Sequence, residues 1–297
     1  MKSVTIAIPA HNEEKNIGSL LNSLISQSAE NYNLDSIQVL CDGCTDNTAT
    51  IASEYSKRNP KIKVIYDEEH LGKINRLNKL FTQTDSDIIV VLDADIKIND
   101  NTLIEKLISP FFASSKVGLV GGAIVPNSPI MFRKKIFFAW NEIWNKTLMN
   151  NNESVHRVYG AIFTLDKTLY KNLVIPKEII AEDEFLYFEN KKRGFQFAFA
   201  KEAVAYFQLP KTFREYFRQS ARHITTKNKM FVYFGQEIEK DYRIPLSVKV
   251  RAIFSVLMKS PILAVLAIFL QIFVRLYCRF YSGEYKNNVW EQVTSTK

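Results

Sequence analysis

Short apolar runs alternate with longer amphipathic segments through the first hundred residues. Residues 4–8, 37–40, 62–65 and 88–92 are rich in Val, Ile and Leu, which predicts buried strands. Between the first two runs, residues 16–26 place Ile17, Leu20, Leu21 and Leu24 at helical spacing. This alternation predicts a parallel sheet with right-handed crossovers, and such sheets bind ligands beyond the carboxyl ends of their strands.

The middle of the chain shows the same alternation of strand-like and helical segments less regularly. Strand-like runs occupy residues 119–125, 158–165 and 195–200, and a charge-rich helix is predicted over 182–193. We interpret this region as a continuation of the same sheet that contributes the acceptor half of a site. The predicted fold class is therefore α/β, with a mostly parallel central sheet flanked by helices.

Two later segments combine apolar and basic residues. Residues 130–144 interleave Arg133, Lys134 and Lys135 with aromatic residues, which is typical either of a membrane-surface helix or of an ordinary packed helix with a solvated basic edge. Residues 260–274 are apolar except for Gln271. A helix of that length covers about 22 Å, less than the roughly 30 Å hydrocarbon core of a bilayer.

The C-terminal run therefore predicts an in-plane or re-entrant membrane helix, assisted by the basic residues around it. Those residues are Lys249, Arg251, Arg275 and Arg279. A buried oligomerisation helix is the alternative. On this basis we expect an α/β domain over residues 1–235 and a helical, membrane-associating region over 236–297, with oligomerisation possible.

Composition narrows the classes of protein without choosing a function. The chain has 297 residues, 46% hydrophobic and 24% charged, which excludes a disordered or fibrous protein. Its net charge of +8 favours an anionic partner such as phosphate, nucleic acid or an anionic membrane. Only residues 130–144 approach the pattern of a nucleic-acid binder, so no nucleic-acid partner is expected. Three cysteines predict no disulfide framework and favour a reducing compartment.

Acidic residues follow the predicted strands. Asp93 and Asp95 come directly after residues 88–92, and if the chain stays extended there they face the same side and can hold magnesium or manganese. Asp42, with Gly43 allowing a tight turn, ends the second strand and can accept hydrogen bonds from a nucleoside. Residues 182–184 are three consecutive acids, which indicates either a general base with a raised pKa or a helix N-terminus that favours acids.

The other motifs predict no chemistry. Cys41 and Cys44 form a C-x-x-C pair, but no second pair exists to complete a zinc site and no thioredoxin-like pattern surrounds them. Residues 118–122 lack the glycine spacing of a dinucleotide loop.

Taken together, the motifs resemble those of the family 2 glycosyltransferases, inverting enzymes with the GT-A fold. Residues 8–14 look like the family's nucleotide loop. Residues 41–48 look like its second acidic motif, although Cys41 replaces the usual Asp, and residues 71–78 look like its Gly-Lys segment. Residues 93–95 match the metal-binding D-x-D motif. Residues 159–163, 181–185 and 219–223 look like the acceptor strand, the E-D motif and the Q-x-x-R-W motif, with His223 in place of Trp.

The resemblance implies a role for each matching residue. It assigns donor binding to Pro9, Ala10, His11, Asn12, Glu13, Asp42, Lys73, Asp93 and Arg222, and metal binding to Asp93 and Asp95. It assigns acceptor binding to Gly160, Ala161, Glu182, Gln219 and His223, and the role of catalytic base to Asp183.

The implied activity is metal-dependent, inverting transfer of a sugar from a nucleotide-diphosphate donor, expected to be a UDP-sugar, to a hydroxyl acceptor. The cation is expected to be manganese or magnesium. A glycan or lipid-linked acceptor at the cytoplasmic face of a membrane is expected, because the C-terminal helix would hold the enzyme there. The alternatives are a non-catalytic nucleotide-sugar-binding scaffold and a sugar-1-phosphate nucleotidyltransferase, although the latter should open with a glycine-rich basic loop after its first strand.

Overall fold

The computed structural model describes residues 1–129, 131–149 and 154–281. The chain divides into two compact units. The first comprises residues 1–125 and 157–207, and the second comprises the described residues of 126–156 and 208–281. The predicted boundary after residue 235 differs from this division. The reason is that the segment around residue 140 packs with the C-terminal helices, which sequence order alone does not reveal.

The first unit is built on a seven-stranded mixed sheet with strand order β3-β2-β1-β4-β6-β5-β7. Strands β2, β1 and β4 pair in parallel, as do β2 and β3, whereas β6 is antiparallel to both β4 and β5. The strands are β1 (Lys2–Ala10), β2 (Tyr32–Asp42), β3 (Ile62–Asp67), β4 (Ile88–Leu92), β5 (Val117–Pro126), β6 (Ile162–Asp166) and β7 (Gln196–Phe207). All four apolar runs predicted in the first hundred residues are strands of this sheet, and the predicted α/β fold class is confirmed.

Helices connect the strands and cover the sheet. They are α1 (Ile17–Ile25), α2 (Thr48–Arg58), α3 (Lys73–Gln83) and α4 (Leu103–Ala113), followed after β6 by α6 (Lys167–Tyr170) and α7 (Glu182–Lys192). The main core lies between strands and helices: Ile6, Ile8 and Val90 of the sheet pack with Leu21 of α1 and Leu107 of α4. Strand β4 is buried along its whole length, as its unbroken apolar run predicts.

Strand pairing sets where the functional loops meet. Ala10 at the end of β1 pairs with Cys41, one residue before Asp42. Leu92 at the end of β4 pairs with Ile162 at the start of the antiparallel β6. The segment that precedes β6 and the segments that follow β1, β2 and β4 therefore lie at one edge of the sheet.

The second unit is helical. It contains α5 (Phe132–Leu148), α8 (Phe213–Phe234), α9 (Glu239–Tyr242), α10 (Leu246–Lys259) and α11 (Pro261–Tyr281). Helix α5 packs its apolar residues against α10 and α11: Ile143 lies with Ala252, Val256 and Ala264, and Ile136 lies with Ala267. The structure thus favours the packed-helix interpretation of residues 130–144. Among the described residues, no helix is both long enough and apolar enough to cross a bilayer.

Candidate active site

Asp42 is the centre of a buried hydrogen-bond network at the end of β2. Its side chain accepts hydrogen bonds from the backbone amides of Leu71 (3.0 Å) and Gly72 (2.8 Å) and from Nε of Arg76 (2.6 Å). Nδ1 of His70 lies 2.7 Å from its second oxygen. Burial opposes ionisation of Asp42, but the Arg76 and amide donors outweigh it and hold the pKa of this carboxyl below its usual value. Asp42 is therefore a fixed anion.

Two histidines and a tight turn line the same loop cluster. The rings of His11 and His70 stack with their centroids 3.8 Å apart, and Nδ1 of His11 lies 2.5 Å from the carbonyl oxygen of Asp42. Gly43 has a φ of +59°, and a Cβ there would lie 2.6 Å from the backbone nitrogen of His70. Only glycine fits this turn, which brings the end of β2 against the His70 loop.

The side chain of Asn12 fixes the loop after β1 to the loop after β2. Its Oδ1 accepts hydrogen bonds from the amides of Thr45 (2.8 Å) and Asp46 (3.3 Å), while its own backbone adopts a left-handed φ of +54°. The amide of Glu13 donates to Oγ1 of Thr48 (2.7 Å). These contacts hold the two loops as one rigid surface beyond the parallel strands.

Lys73 is the hub of a second cluster, at the first residue of α3. Its Nζ lies 2.7 Å from Oδ1 of Asp93, 2.7 Å from Oε1 of Glu182 and 2.7 Å from the carbonyl oxygen of Gly160. Burial disfavours the charged amine, yet the two carboxylates outweigh burial and raise the pKa of Lys73 above its usual value. A permanently charged Lys73 thus joins segments that follow β4, precede β6 and begin α7.

Asp183 lies next to this hub in the first turn of α7. Its Oδ2 accepts a hydrogen bond from the amide of Gly160 (2.9 Å) and its Oδ1 accepts one from the amide of Glu184 (2.9 Å). Burial and the neighbouring negative charge of Glu182 raise the pKa of Asp183 to about 6, against the lowering effects of Lys73 and the two amides. A carboxylate with a pKa near neutrality is suited to accept a proton.

Gly160 leaves room for both acidic residues. A Cβ at this position would lie 2.9 Å from Oε1 of Glu182 and 3.6 Å from Oδ2 of Asp183. The backbone of Gly160 contributes a carbonyl to Lys73 and an amide to Asp183. This close approach explains the choice of glycine although its φ is ordinary.

The D-x-D segment is not extended. The prediction that Asp93 and Asp95 face the same side depends on an extended chain at these residues. The chain turns at Ala94 and Asp95, and the amide of Ile96 approaches the carbonyl of Asp93 at 3.5 Å. Asp93 and Asp95 are both partly exposed. No group of three or more His, Cys, Asp or Glu side chains suited to a metal occurs in the part of the chain that the structure describes. Two partly exposed carboxylates do fit a magnesium or manganese ion that takes its remaining ligands from phosphates and water.

The remaining predicted residues divide between the units. Pro9 and Ala10 are the last two residues of β1. The carbonyl oxygen of Ala161 accepts a hydrogen bond from the amide of Asp93 (3.0 Å). Gln219 lies on α8 in the second unit. Arg222 and His223 belong to the same helix, but their side chains lie outside the described part of the chain.

Sequence reasoning missed two members of the Asp42 network. Arg76 is 2% exposed although it is charged, and it stands between the buried Ile74 and Leu77 on α3. A basic residue inside the apolar face of a predicted helix is a signal of a buried acidic partner. His70 carries no comparable signal, because its role depends on the turn at Gly43.

Solved structures with similar folds were found by comparison of coordinates. A mannosyltransferase from Pyrobaculum calidifontis, PcManGT, in complex with GDP-Man and Mn2+, aligns with a TM-score of 0.60 and 17% identity, covering 92% of this chain and 75% of that one. A glucosyl-3-phosphoglycerate synthase from Mycobacterium tuberculosis, in complex with Mn2+ and uridine diphosphate, aligns with a TM-score of 0.51 and 16% identity, covering 79% and 80%. The fold is therefore that of the GT-A proteins.

Sequence comparison gives the family. The model for glycosyl transferase family 2 matches residues 5–173, more than half of the chain, and the chain belongs to that family. A 4,4'-diaponeurosporenoate glycosyltransferase from Staphylococcus aureus (strain bovine RF122 / ET3-1) is 32% identical over 144 residues, which is 48% of this chain. The match spans 36% of the length of that relative. The resemblance on which the sequence analysis relied is confirmed.

Proposed function

We propose that this protein transfers a sugar from a nucleotide-diphosphate donor, with UDP-sugars as the first candidates, to a hydroxyl group of an acceptor, with inversion at the anomeric carbon. The observation that carries the proposal is the Lys73 hub. It joins Asp93 of the D-x-D segment to Glu182, next to a carboxyl group, Asp183, whose pKa is raised to about 6. A buried acid whose pKa is raised by burial and by a neighbouring charge is typical of functional sites.

Asp183 is proposed as the general base. Its carboxylate would take the proton of the acceptor hydroxyl as that oxygen attacks the anomeric carbon, on the side opposite to the departing diphosphate. The amides of Gly160 and Glu184 hold its two oxygens in place. Lys73 contributes a fixed positive charge beside it, which limits how far burial raises the pKa of Asp183.

Donor binding is proposed at the same edge of the sheet. Asp42 and the loop after Pro9 would hold the nucleoside, and Asp42 would do so by fixing the His70–Gly72 loop, because both of its carboxylate oxygens already accept hydrogen bonds from that loop and from Arg76. Asp93 and Asp95 would hold a manganese or magnesium ion, which when bound neutralises the charge that develops on the leaving diphosphate. Arg222 would add positive charge, and Gly160, Ala161, Glu182, Gln219 and His223 would contact the acceptor.

The acceptor is proposed to be a glycan or a lipid-linked acceptor at the cytoplasmic face of a membrane. Support comes from the apolar and basic composition of α10 and α11. An acceptor confined to the same surface as the enzyme is present at a raised effective concentration.

A donor panel tests the reaction class. The full chain would be incubated with Mn2+, a mixture of glycan and lipid-linked hydroxyl acceptors, and each of several UDP-sugars and GDP-mannose, and released nucleoside diphosphate would be measured. The proposal expects release from one donor class, dependence on the cation, and a loss of at least a hundredfold in kcat for Asp183→Asn with unchanged donor affinity. Glu184→Gln, in the same helical turn, is the control and should retain turnover. Turnover of Asp183→Asn within tenfold of wild type would refute the base assignment, and the absence of release from every donor would refute the reaction.

A further inference from the structure

Helices α10 and α11 each expose an apolar stripe on the face that α5 does not cover. On α10 the stripe consists of Leu246, Val250, Phe254 and Met258, at four-residue intervals, and each side chain is at least 55% exposed. The opposite face of α10 buries Ala252 and Val256 against Ile143. The exposed stripe is therefore not part of the core of this unit.

The stripe on α11 is longer. Exposed apolar side chains recur every three or four residues from Ile262 to Leu276, including Phe269 (65% exposed) and Phe273 (63% exposed). At about 100° per residue, these positions fall within an arc of roughly 120° around the helix. The strongly polar residue of the run, Gln271, is buried and donates a hydrogen bond to the hydroxyl of Tyr216, so it points away from the stripe.

Basic residues border the two stripes. Lys249 and Arg251 are the neighbours of Val250 in sequence, so they lie about 100° to either side of it around α10. Arg275 lies about 60° outside the arc of α11 by the same geometry. Residues 246–281 contain five Lys or Arg residues and no Asp or Glu. An apolar band bordered by cations matches a bilayer surface with anionic headgroups.

We propose that the outer faces of α10 and α11 form one docking surface for an anionic lipid bilayer, on which both helices lie in the membrane plane. The apolar stripes enter the boundary between headgroups and acyl chains, and Lys249, Arg251 and Arg275 bind lipid phosphates. This proposal rests on the membrane location proposed above, and it adds α10, the lipid charge and the orientation. A second copy of the chain is the less favourable occupant, since two such faces carry positive charge of the same sign.

Vesicle co-sedimentation tests the proposal with the full chain. Vesicles of phosphatidylcholine alone would be compared with vesicles containing about 30% phosphatidylglycerol, because anionic lipid gives the surface the negative potential that attracts basic residues. We expect sedimentation with the anionic vesicles and loss of it in the double variant Phe269→Glu/Phe273→Glu. Val174→Glu, which replaces a 69% exposed apolar residue outside α10 and α11, is the matched control and should still sediment. Thermal unfolding of each variant checks folding.

A second variant isolates the charge contribution. Lys249→Gln/Arg251→Gln should weaken partitioning to the anionic vesicles by roughly 30-fold, since each cation near such a surface contributes about a fivefold factor. Binding of wild type to neutral and anionic vesicles alike, or unchanged binding of Phe269→Glu/Phe273→Glu, would overturn the proposal. The surface would be assigned to a second copy of the chain by a different pair of results. The wild type would form dimers without lipid and fail to bind vesicles, and Phe269→Glu/Phe273→Glu would dissociate those dimers.

Failure here is distinguishable from failure of the proposed reaction. Release of nucleoside diphosphate from the donor panel would be measured on the same protein samples with the acceptor mixture but without vesicles. Turnover without vesicle binding overturns the docking surface alone, and vesicle binding without turnover on any donor overturns the reaction alone.

Discussion

The pH dependence of turnover tests the role of Asp183. If this carboxyl accepts the acceptor proton, turnover requires its ionised form, and the acid limb of kcat/KM reports its pKa in the free enzyme. Burial and the charge of Glu182 raise that pKa from 3.8 to about 6. The perturbations to apply are acidification and the substitution Glu182→Gln.

The expected magnitude follows from the titration curve. With a pKa of about 6, roughly one tenth of Asp183 is ionised at pH 5 and about nine tenths at pH 7, so kcat/KM should fall about eight- to tenfold between them. A carboxyl with the ordinary value of 3.8 would remain more than nine-tenths ionised at about pH 5 and give almost no change. Glu182→Gln removes a negative charge that raises the pKa of Asp183, so the acid limb should move to lower pH.

The assay is initial-rate release of nucleoside diphosphate between about pH 4.5 and 8, with donor and acceptor both subsaturating at each pH so that the free enzyme is the titrating form. Glu184→Gln serves as the control, because Glu184 contacts Asp183 through its backbone amide, which this substitution keeps. An acid limb at the ordinary carboxyl value in the wild type would refute the reasoning. A limb that stays in place in Glu182→Gln would show that another group titrates.

Three further substitutions address the rest of the site. Lys73→Met leaves two buried or half-buried carboxylates without their cation and should reduce the free energy of unfolding at pH 7 by about 3 kcal/mol, measured by urea denaturation. A loss below about 1 kcal/mol would contradict the ion-pair geometry. The pKa of Asp42 is lower in the native state than its unfolded value of about 3.8, so the ionised carboxyl stabilises the native state above that value. This stabilisation is lost as the pH falls through the lower native pKa. Asp42→Asn should therefore lose less stability than wild type on acidification below about pH 4. An equal loss would mean that Asp42 is not held by Arg76. Gly160→Ala should lower turnover, because the new Cβ would lie 2.9 Å from Oε1 of Glu182. Gly18→Ala is the control and should leave turnover unchanged, because the nearest atom to its Cβ would lie at 3.6 Å. Equal turnover in the two variants would show that the close approach at Gly160 is tolerated.

Local patterns predict the first half of the fold because burial on both faces of a parallel strand leaves an unbroken apolar run. Ile88–Leu92 is such a run and is β4 in the structure. The packing of α5 against α10 and α11 could not be predicted, since complementarity between Ile143 and Ala264 is not encoded in either segment alone. The stripe on α10 was missed for another reason: Lys249 and Arg251 interrupt its apolar residues in sequence but not on the helix surface.

The candidate site is predictable in its residue types and less so in its contacts. Asp42 and Asp93 follow their strands as the parallel-sheet rule requires. The resemblance implies that Lys73 binds the donor, and this role stays a prediction. The partners of its amine in the structure, Asp93 and Glu182, are 20 and 109 positions away along the chain. Such partners are set by the antiparallel return of β6 and the start of α7, and no spacing rule reaches across that distance.

A crystal structure of the full chain with Mn2+ and a nucleoside diphosphate tests the central claim most directly, with anomalous diffraction to locate the metal. We expect an anomalous peak bound by Asp93 and Asp95, the diphosphate on that metal, and the nucleoside against the loops that follow Pro9 and Asp42. A metal and a nucleotide bound elsewhere on the chain, away from Asp93 and from these loops, would show that the proposed site is wrong.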